Sequence, residues 1–535
     1  MIGRQFPASL VKQVVSQTED EIYRLLSSFQ TKEFFYEQPA FAEMEYVFKH
    51  ALTQDVAYST VLQEQRKELH GRTAQAIEAL YSDKVDDHYS ELAHHYSRSD
   101  NPEKAVEYLS LAGTQAAQRS AAADAITHFT QALEILKTLP ASAESRQREL
   151  MLQVSLGAAL FFTQGAGSPE VGRACLRAQE LCQPIEDRPE HSAVLFGLHR
   201  FYATTGEFRK AREVAEHHLQ FAQRLQSPTF LVPAHVACSV ATLWLGEFVG
   251  ARTHSETVAA PYDTQQYDAQ IALDGDDFRI VSGISGAFAL WALGYPTQAV
   301  ARMEETIGLA NMLKYPMILA QTEFLGAMLI QHCRDVVVVR ERSEAALAPC
   351  REHGFSMYLA GSRIMQGWAL AVQGEGEAGI AQLRKGLATW TATGARLSQP
   401  YFLSLLAEAY QKTGQTDAGL RVVEEAMTEV QRSDGRQHEA ELYRLKGGAD
   451  ASRVKSRKSQ VEEEAEECFQ KAIEIAQKQQ AKSWELRAAT SLARLWQGQR
   501  RISEARDLLA PVYDWFTEGF DTADLKDAKA LLDEL

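Results

Sequence analysis

A glycine followed five positions later by a small residue recurs along this chain, at Gly206/Ala211, Gly246/Ala251, Gly294/Ala299, Gly374/Gly379 and Gly414/Gly419. Successive glycines stand 40, 48, 80 and 40 residues apart, and Arg334 occupies the midpoint of the long gap. A fixed period of some tens of residues is the signature of a solenoid, in which each unit buries its apolar face only against its neighbours. A chain of 535 residues calls for such a device, because a single core stops growing near roughly 250 to 300 residues.

The repeat reads as a helical hairpin. Gly414 ends one helix in the left-handed conformation that glycine adopts cheaply, and Gly419 lets the second helix approach the first. Aligned on Gly414, the positions Leu403, Leu406, Ala407, Tyr410, Val423 and Ala426 fall at tetratricopeptide spacing. A period near 40 instead of 34 implies longer helices, about 25 Å each. "LAHHYSRSDNPEKAVEYLSLA" (92–112) and "LARLWQGQRRISEARDLL" (492–509) fit more loosely. The fold class expected is all-α: a right-handed superhelical solenoid of extended tetratricopeptide-like hairpins over 84–517, closed by a capping helix within 518–535. Two stretches strain the pattern. "DVVVVRERSEAA" (335–346) is β-branched like a strand, but the period demands helix there. "KGGADASRVKSRKSQVEEEAEE" (446–467) reads as an insertion, a flexible loop over 446–462 leading into a charged helix start, with a basic patch for an acidic partner as the lesser reading.

Composition excludes several classes of function. A formal net charge of −16 opposes a broad footprint on nucleic acid or an anionic membrane. The six cysteines form no CxxC pair, so neither a zinc knuckle nor a disulfide framework is indicated, and a cytoplasmic location fits. The apolar stretches 230–249 and 280–295 are interrupted or too short to span a bilayer and read as buried repeat helices. "GEGEAG" (374–379) satisfies GxGxxG but follows a helix and coincides with the repeat's own glycines. His88, Glu91, His94 and His95 can share a helical face, which suggests a metal less than a hydrogen-bonded surface. No metal site, no cofactor and no catalytic residue is expected.

Residues 1–80 depart from the repeat. They read as a helix over about 18–30, a strand "EFFYEQ", a turn at Pro39, a strand "EYVFKH" and a helix from Ala51, the layout of a winged helix. "YVFKHALTQDVAYSTVLQEQRKELHGRTAQAIEAL", "SELAHHYSRSDNPEKAVEYLSLAG", "GWALAVQGEGEAGIAQLRKGLATWTATGA", "SWELRAATSLARLW" and "LLAPVYDWFTEGFDTADLKDAKALLDEL" together resemble the C-terminal half of a bacterial family of signalling proteins. That family joins an optional class III adenylate/guanylate cyclase domain, a STAND (signal-transduction ATPase with numerous domains) ATPase and a tetratricopeptide array. The resemblance implies that 1–80 is a winged-helix remnant of the ATPase module, and that His50, at the head of a helix, is the histidine that contacts a bound nucleotide's phosphate. No GxxxxGK[ST] occurs in the chain, so ATP hydrolysis and cyclic-nucleotide synthesis would belong to a part missing from it.

The function expected is therefore a non-enzymatic interaction and sensor scaffold. A protein or peptide would lie on the concave solenoid face, with a STAND ATPase or cyclase module as a further partner and neither nucleic acid nor membrane. The rival reading, a winged-helix transcription regulator with a tetratricopeptide effector domain, meets a front segment carrying eight basic against eleven acidic side chains, the wrong sign for a phosphate backbone.

Overall fold

The computed structural model describes residues 3–535 save 16, 40–43, 120, 166, 183–189, 259–276 and 453–457. It divides into two compact units, Met1–Leu156 and Gly157–Leu535.

The first unit opens with β1 (Gln5–Pro7), α1 (Ala8–Val14), α2 (Glu19–Thr31), β2 (Phe35–Pro39) and β3 (Met44–Phe48). The strands form one antiparallel sheet in the order β1-β3-β2, with Phe6 opposite Tyr46 and Phe35 opposite Phe48. Alternation along the strands puts Phe6, Phe35 and Tyr46 on one face, where they pack with Val11, Ile22 and Leu26. A capping box starts α2, the Glu21 carboxylate accepting from the Thr18 backbone N–H at 3.1 Å. The helix, strand, strand and helix expected here are present; β1 and α1 were not foreseen, being too short to show a period. The turn expected at Pro39 runs into 40–43, outside the described residues. After α3 (Ala51–Thr60), α4 (Gln63–Leu80) and a 3-10 turn (Ser82–His88) come α5 (Tyr89–Tyr96), α6 (Pro102–Gln118), α7 (Ala122–Leu136) and α8 (Ala143–Gln164), the last of which runs from the first unit into the second. Leu92, Ala93 and Tyr96 on α5 and Ala105 and Ala112 on α6 are buried, as the repeat spacing requires.

The second unit is a helical-repeat solenoid. After α9 (Pro169–Cys182) its hairpins run α10 (Glu190–Thr204) with α11 (Phe208–Leu225), α12 (Pro228–Trp244) with α13 (Phe248–Val258), and α14 (Phe278–Ala292) with α15 (Pro296–Leu313). Next come α16 (Pro316–His332) with α17 (Val336–His353), α18 (Ser356–Val372) with α19 (Gly376–Ala392), and α20 (Gln399–Lys412) with α21 (Thr416–Ser433). The last are α22 (Glu439–Ser452) with α23 (Lys458–Lys478) and α24 (Lys482–Gly498) with α25 (Ile502–Asp514), followed by α26 (Ala523–Glu534). The β-branched run is helical in α17, where the Asp335 carboxylate caps the Val338 N–H at 3.2 Å and Val339 is fully buried.

The loop expected over 446–462 is a correction. Helix α22 continues to Ser452 and α23 begins at Lys458, leaving only 453–457 outside the described residues. Gly447 is not a breaker: a Cβ there would lie 2.9 Å from the Phe469 ring and 3.0 Å from the Ala465 carbonyl, so it is the small residue that lets α22 and α23 approach.

The solenoid winds tightly enough for successive turns to touch. The Ser483 hydroxyl donates to the Trp291 carbonyl 192 residues away, Arg209 pairs with Asp434 225 residues away, and the Gln298 side chain donates to Glu518 220 residues away. At a period near forty residues, that is about five hairpins per turn. The first helix of each hairpin is therefore buried nearly all round, and the second along one stripe. Among the described residues no helix is long and apolar enough to cross a membrane; α12 and α14, within the apolar stretches, are such first helices.

Candidate functional site

First helices of successive hairpins converge on His332, at the end of α16. Its ring lies 5.7 Å from that of Phe288, 4.6 Å from Trp291, 5.1 Å from Tyr401, 5.4 Å from His438 and 5.6 Å from Trp484. Gln331 Oε1 accepts from the Tyr401 hydroxyl at 2.8 Å and meets His332 Nδ1 at 3.0 Å; His332 Nε2 meets His438 Nε2 at 3.3 Å. If His332 Nδ1 carries its proton towards Gln331, His438 is the donor of the second bond. Burial pushes His332 well below the usual histidine range, with His438 and Arg487 adding to the effect, and pushes His438 down to about 3. Both rings are neutral near pH 7.

Beside this wall lies a polar cavity of about 250 Å³, lined from α16, α20, α22, α24 and α26. Five cations (Arg334, Lys412, Arg444, Arg487, Arg494) face four carboxylates (Glu408, Glu441, Asp524, Asp527) around it. They form an alternating chain. Arg444 pairs with Glu441 at 2.8 Å, and Arg487 lies 3.8 Å from Glu441 and 2.7 Å from Asp524. Arg334 reaches Asp524 at 3.4 Å and Asp527 at 2.9 Å, and Arg494 stands 3.9 Å from Asp527. Arg487 is the hub: its guanidinium sits 5.2 Å from the Trp291 ring and 5.1 Å from Trp484, and it donates to the His332 carbonyl at 2.5 Å. Burial alone would raise the Glu441 carboxyl, but Arg444, Arg487 and Arg334 outweigh it and hold it below the ordinary range. The neighbouring Cys333 thiol is pushed up to about 12 by burial. The arrangement offers fixed charges of both signs, with its buried carboxylate held ionised and its nearby thiol held protonated, a chemistry suited to recognition.

Arg334 explains its place in the repeat. It has φ of 64° at the tip where other hairpins carry Gly206, Gly246, Gly294, Gly374 and Gly414, all with positive φ, and where the last hairpin carries Arg500 with φ of 65°. A side chain in that conformation costs on the order of 1 kcal/mol, and here it carries the guanidinium that reaches α26.

The residues singled out by sequence are spread along the hairpins instead of meeting in one place. Ala211, Ala251 and Ala299 are fully buried under their first helices. A Cβ on Gly379 would meet the Ala371 nitrogen and the Gly367 carbonyl at 2.6 Å, whereas on Gly419 the nearest atom is the Ala407 carbonyl at 3.3 Å. Tyr410 is buried. "GEGEAG" is the α18–α19 tip and its close approach. His50 is the exposed N-cap residue of α3 and makes no side-chain capping bond. His88 meets Glu91 at 3.1 Å, while the buried His95 turns to His70, their Nδ1 atoms 2.9 Å apart; no group of three or more metal-ligating side chains occurs among the described residues. The charged cavity was not anticipated. Its local signals are the i,i+3 pairs Glu441/Arg444 and Asp524/Asp527 and the non-glycine at 334.

The tetratricopeptide repeat family matches residues 400–425, across α20 and into α21. An uncharacterised protein of Rhizobium meliloti (strain 1021) is 23% identical over 453 residues, 84% of this chain and 43% of that protein. The chain thus spans less than half the length of the curated relative it matches. Among solved structures, a Rap protein complexed with competence and sporulation factor aligns with a TM-score of 0.47 at 10% identity, over 76% of this chain and 99% of that one. A STAND protein with a tetratricopeptide repeat sensor from Pyrococcus horikoshii aligns with a TM-score of 0.38 at 12% identity, over 90% of this chain and 63% of that one.

Proposed function

We propose that this chain is an interaction and sensor scaffold that takes a peptide segment of a partner into the charged cavity of its second unit. The observation that carries the reading is the alternating chain of guanidinium and carboxylate groups on convergent helices. It presents matched donors and acceptors to a ligand bearing both charges, as peptide termini and mixed side chains do. A cavity of about 250 Å³ lies just below the usual small-ligand range of roughly 300–1,000 Å³. That size suits a chain end or a few side chains rather than a folded surface. Arg494, half exposed and 3.9 Å from Asp527, and Lys412, 3.8 Å from Glu408, are the loosely paired cations that can turn towards the ligand.

The sensor role is the further step: the first unit would act as the winged helix of a STAND ATPase, with His50 contacting the nucleotide phosphate and a cyclase domain as an optional effector. Leu52 and Leu62, 72% and 70% exposed at the ends of α3 and its following turn, support a covering body on this unit, because such apolar side chains cluster at interfaces.

A panel of short acidic, basic and mixed-charge peptides, titrated against the full chain with tryptophan emission as the readout, tests the cavity. Binding of the mixed-charge peptides that is lost in Arg494→Glu is the result expected; no emission change with any peptide removes the reading. Fused behind a STAND ATPase module, the chain should alter ATP turnover when such a peptide binds, and His50→Ala should abolish that response.

A further inference from the structure

The second unit holds another cavity, of about 140 Å³, of opposite character to the charged one. Its walls come mainly from inner helices nearer the start of the unit, with Phe196, Phe288, Phe324, Met328 and Met357 among the lining side chains and Trp390 contributed by the outer helix α19. An apolar cavity near 150 Å³ stays dry and admits a benzene-sized molecule, since water needs two to four polar partners to occupy a void. The lining also carries polar groups, among them His199, Arg200, Thr204, Ser285 and Gln321, and two further ones present buried polar atoms with no partner. Gln437, 5% exposed, has Oε1 without a hydrogen-bond partner, and Trp390, 1% exposed, has Nε1 without one. Buried polar atoms are nearly always paired, so one orphan acceptor and one orphan donor on a mostly apolar cavity ask for a ligand that supplies both complements.

We infer that this cavity is a binding site for a small, neutral, single-ring aromatic molecule carrying a carboxamide, whose N–H donates to Gln437 and whose carbonyl accepts from Trp390. The aromatic preference follows from the ring edges and methionine sulfurs that line the site, both of which favour a π-system over an alkyl group. Neutrality rests on how the ionisable groups there are held, and the permanent cation Arg200 on the lining makes benzoate the probe that tests it. His199 is pushed down to about 4 by burial and contributes its Nδ1 to the Ala211 carbonyl at 3.0 Å, so it is uncharged near pH 7. Arg200 lies with its guanidinium 4.4 Å from the Phe161 ring. The site does not depend on a peptide in the charged cavity, and its test is read separately.

The experiment uses the full chain with benzamide, benzene, cyclohexanecarboxamide and benzoate as probes, followed by calorimetry and by thermal shift. Benzamide should bind, and each of the other three about tenfold or more weakly, the loss expected for one unmet hydrogen bond or a mismatched wall. Gln437→Leu should erase the advantage of benzamide over benzene while benzene still binds, and Trp390→Phe should halve that advantage or more without removing the ring-shaped wall. Circular dichroism of each variant confirms that it folds; if Trp390→Phe does not, Gln437→Leu alone decides. No probe binding at millimolar concentration, equal binding to wild type and Gln437→Leu, or tighter binding of benzoate than of benzamide, which would transfer the polar contact to Arg200, each overturns the assignment.

Discussion

Helix α16 buries residues on every side, from Met317 and Ile318 through Glu323 and Phe324 to His332, whereas α17, its hairpin partner, buries a single stripe of Val339, Ser343, Ala346, Leu347 and Cys350. Both belong to one repeat unit. The difference comes from the winding: a second helix needs only to pack on its own hairpin and the next, while a first helix also meets helices about five hairpins away. Inner helices therefore carry two kinds of burial at once, apolar contact within the turn and polar contact across it. That double role explains why 230–249 and 280–295 look nearly membrane-like and why charged groups such as Arg487 and Glu441 lie inside.

The sharpest way to break this contrast is to remove the hub of the inner side. Arg487→Ala removes the 2.7 Å partner of Asp524, which keeps only Arg334 at 3.4 Å, and leaves Glu441 to Arg444 alone; breaking a buried pair from one end costs up to about 3–5 kcal/mol, and the remaining partners put this loss at the lower end. Urea unfolding should show that loss, while Arg212→Ala, an outer-helix arginine paired with Glu216 at 2.7 Å on the surface, should change stability by less than about 1 kcal/mol. Equal effects would mean that the inner charges are no more buried in solution than the outer ones.

Acidification probes the same asymmetry. Burial disfavours the cation and pushes His438 down to about 3 and His199 to about 4 in the folded chain, both below the ordinary value of 6.5. Between those values the unfolded chain binds more protons than the folded one, so stability is complete above about pH 6.5 and falls as the pH drops towards 4. The loss at pH 5 is about 2 kcal/mol for each ring. His438→Gln should flatten the dependence by one ring's share; an unchanged slope between pH 7 and 5 would show that the inner histidines are already accessible to solvent.

How much of this was legible in sequence follows from the range of the physics. The hairpin is local, so Gly414 and Gly419 announced it, and the same period overruled the strand-like valines of α17. The insertion expected over 446–462 rested on a basic run followed by an acidic one, and charge on a solvated helix face reads the same as charge in a loop; only the close approach of Gly447 to Phe469 tells which. The charged cavity was out of reach for a different reason. Arg334 and Asp524 stand 190 residues apart, joined by a superhelical pitch that results from small rotations summed over several hairpins, and no single hairpin sequence encodes that sum.

Within a hairpin the two faces should differ more mildly. Gly379→Ala forces a methyl group against backbone atoms at 2.6 Å and should cost roughly 1–3 kcal/mol by overpacking. Gly419→Ala meets its nearest atom at 3.3 Å, and the helix propensity gained, about 0.5–1 kcal/mol, should offset the crowding. A Gly419 variant as destabilised as the Gly379 variant would mean that the two hairpins share one crossing distance after all.

The smallest effect on stability is expected at Arg334, and its smallness is informative. Arg334→Gly relieves a left-handed side-chain conformation worth on the order of 1 kcal/mol. It also removes a 2.9 Å pair with Asp527, in which both side chains are more than a third exposed, and such a pair returns at most about 1 kcal/mol. Asp524 keeps Arg487 at 2.7 Å. The two changes nearly cancel, so the urea midpoint should move little in either direction. Arg500 takes the same conformation at the tip of the last hairpin without lining the cavity, so the proposed function, and not the strain, is what assigns Arg334 to recognition. The variant should therefore lose affinity for mixed-charge peptides by about tenfold, the effect of one charge-assisted contact, while unfolding like wild type. A large drop in stability with peptide binding intact would make Arg334 a strut between turns and remove it from the recognition surface.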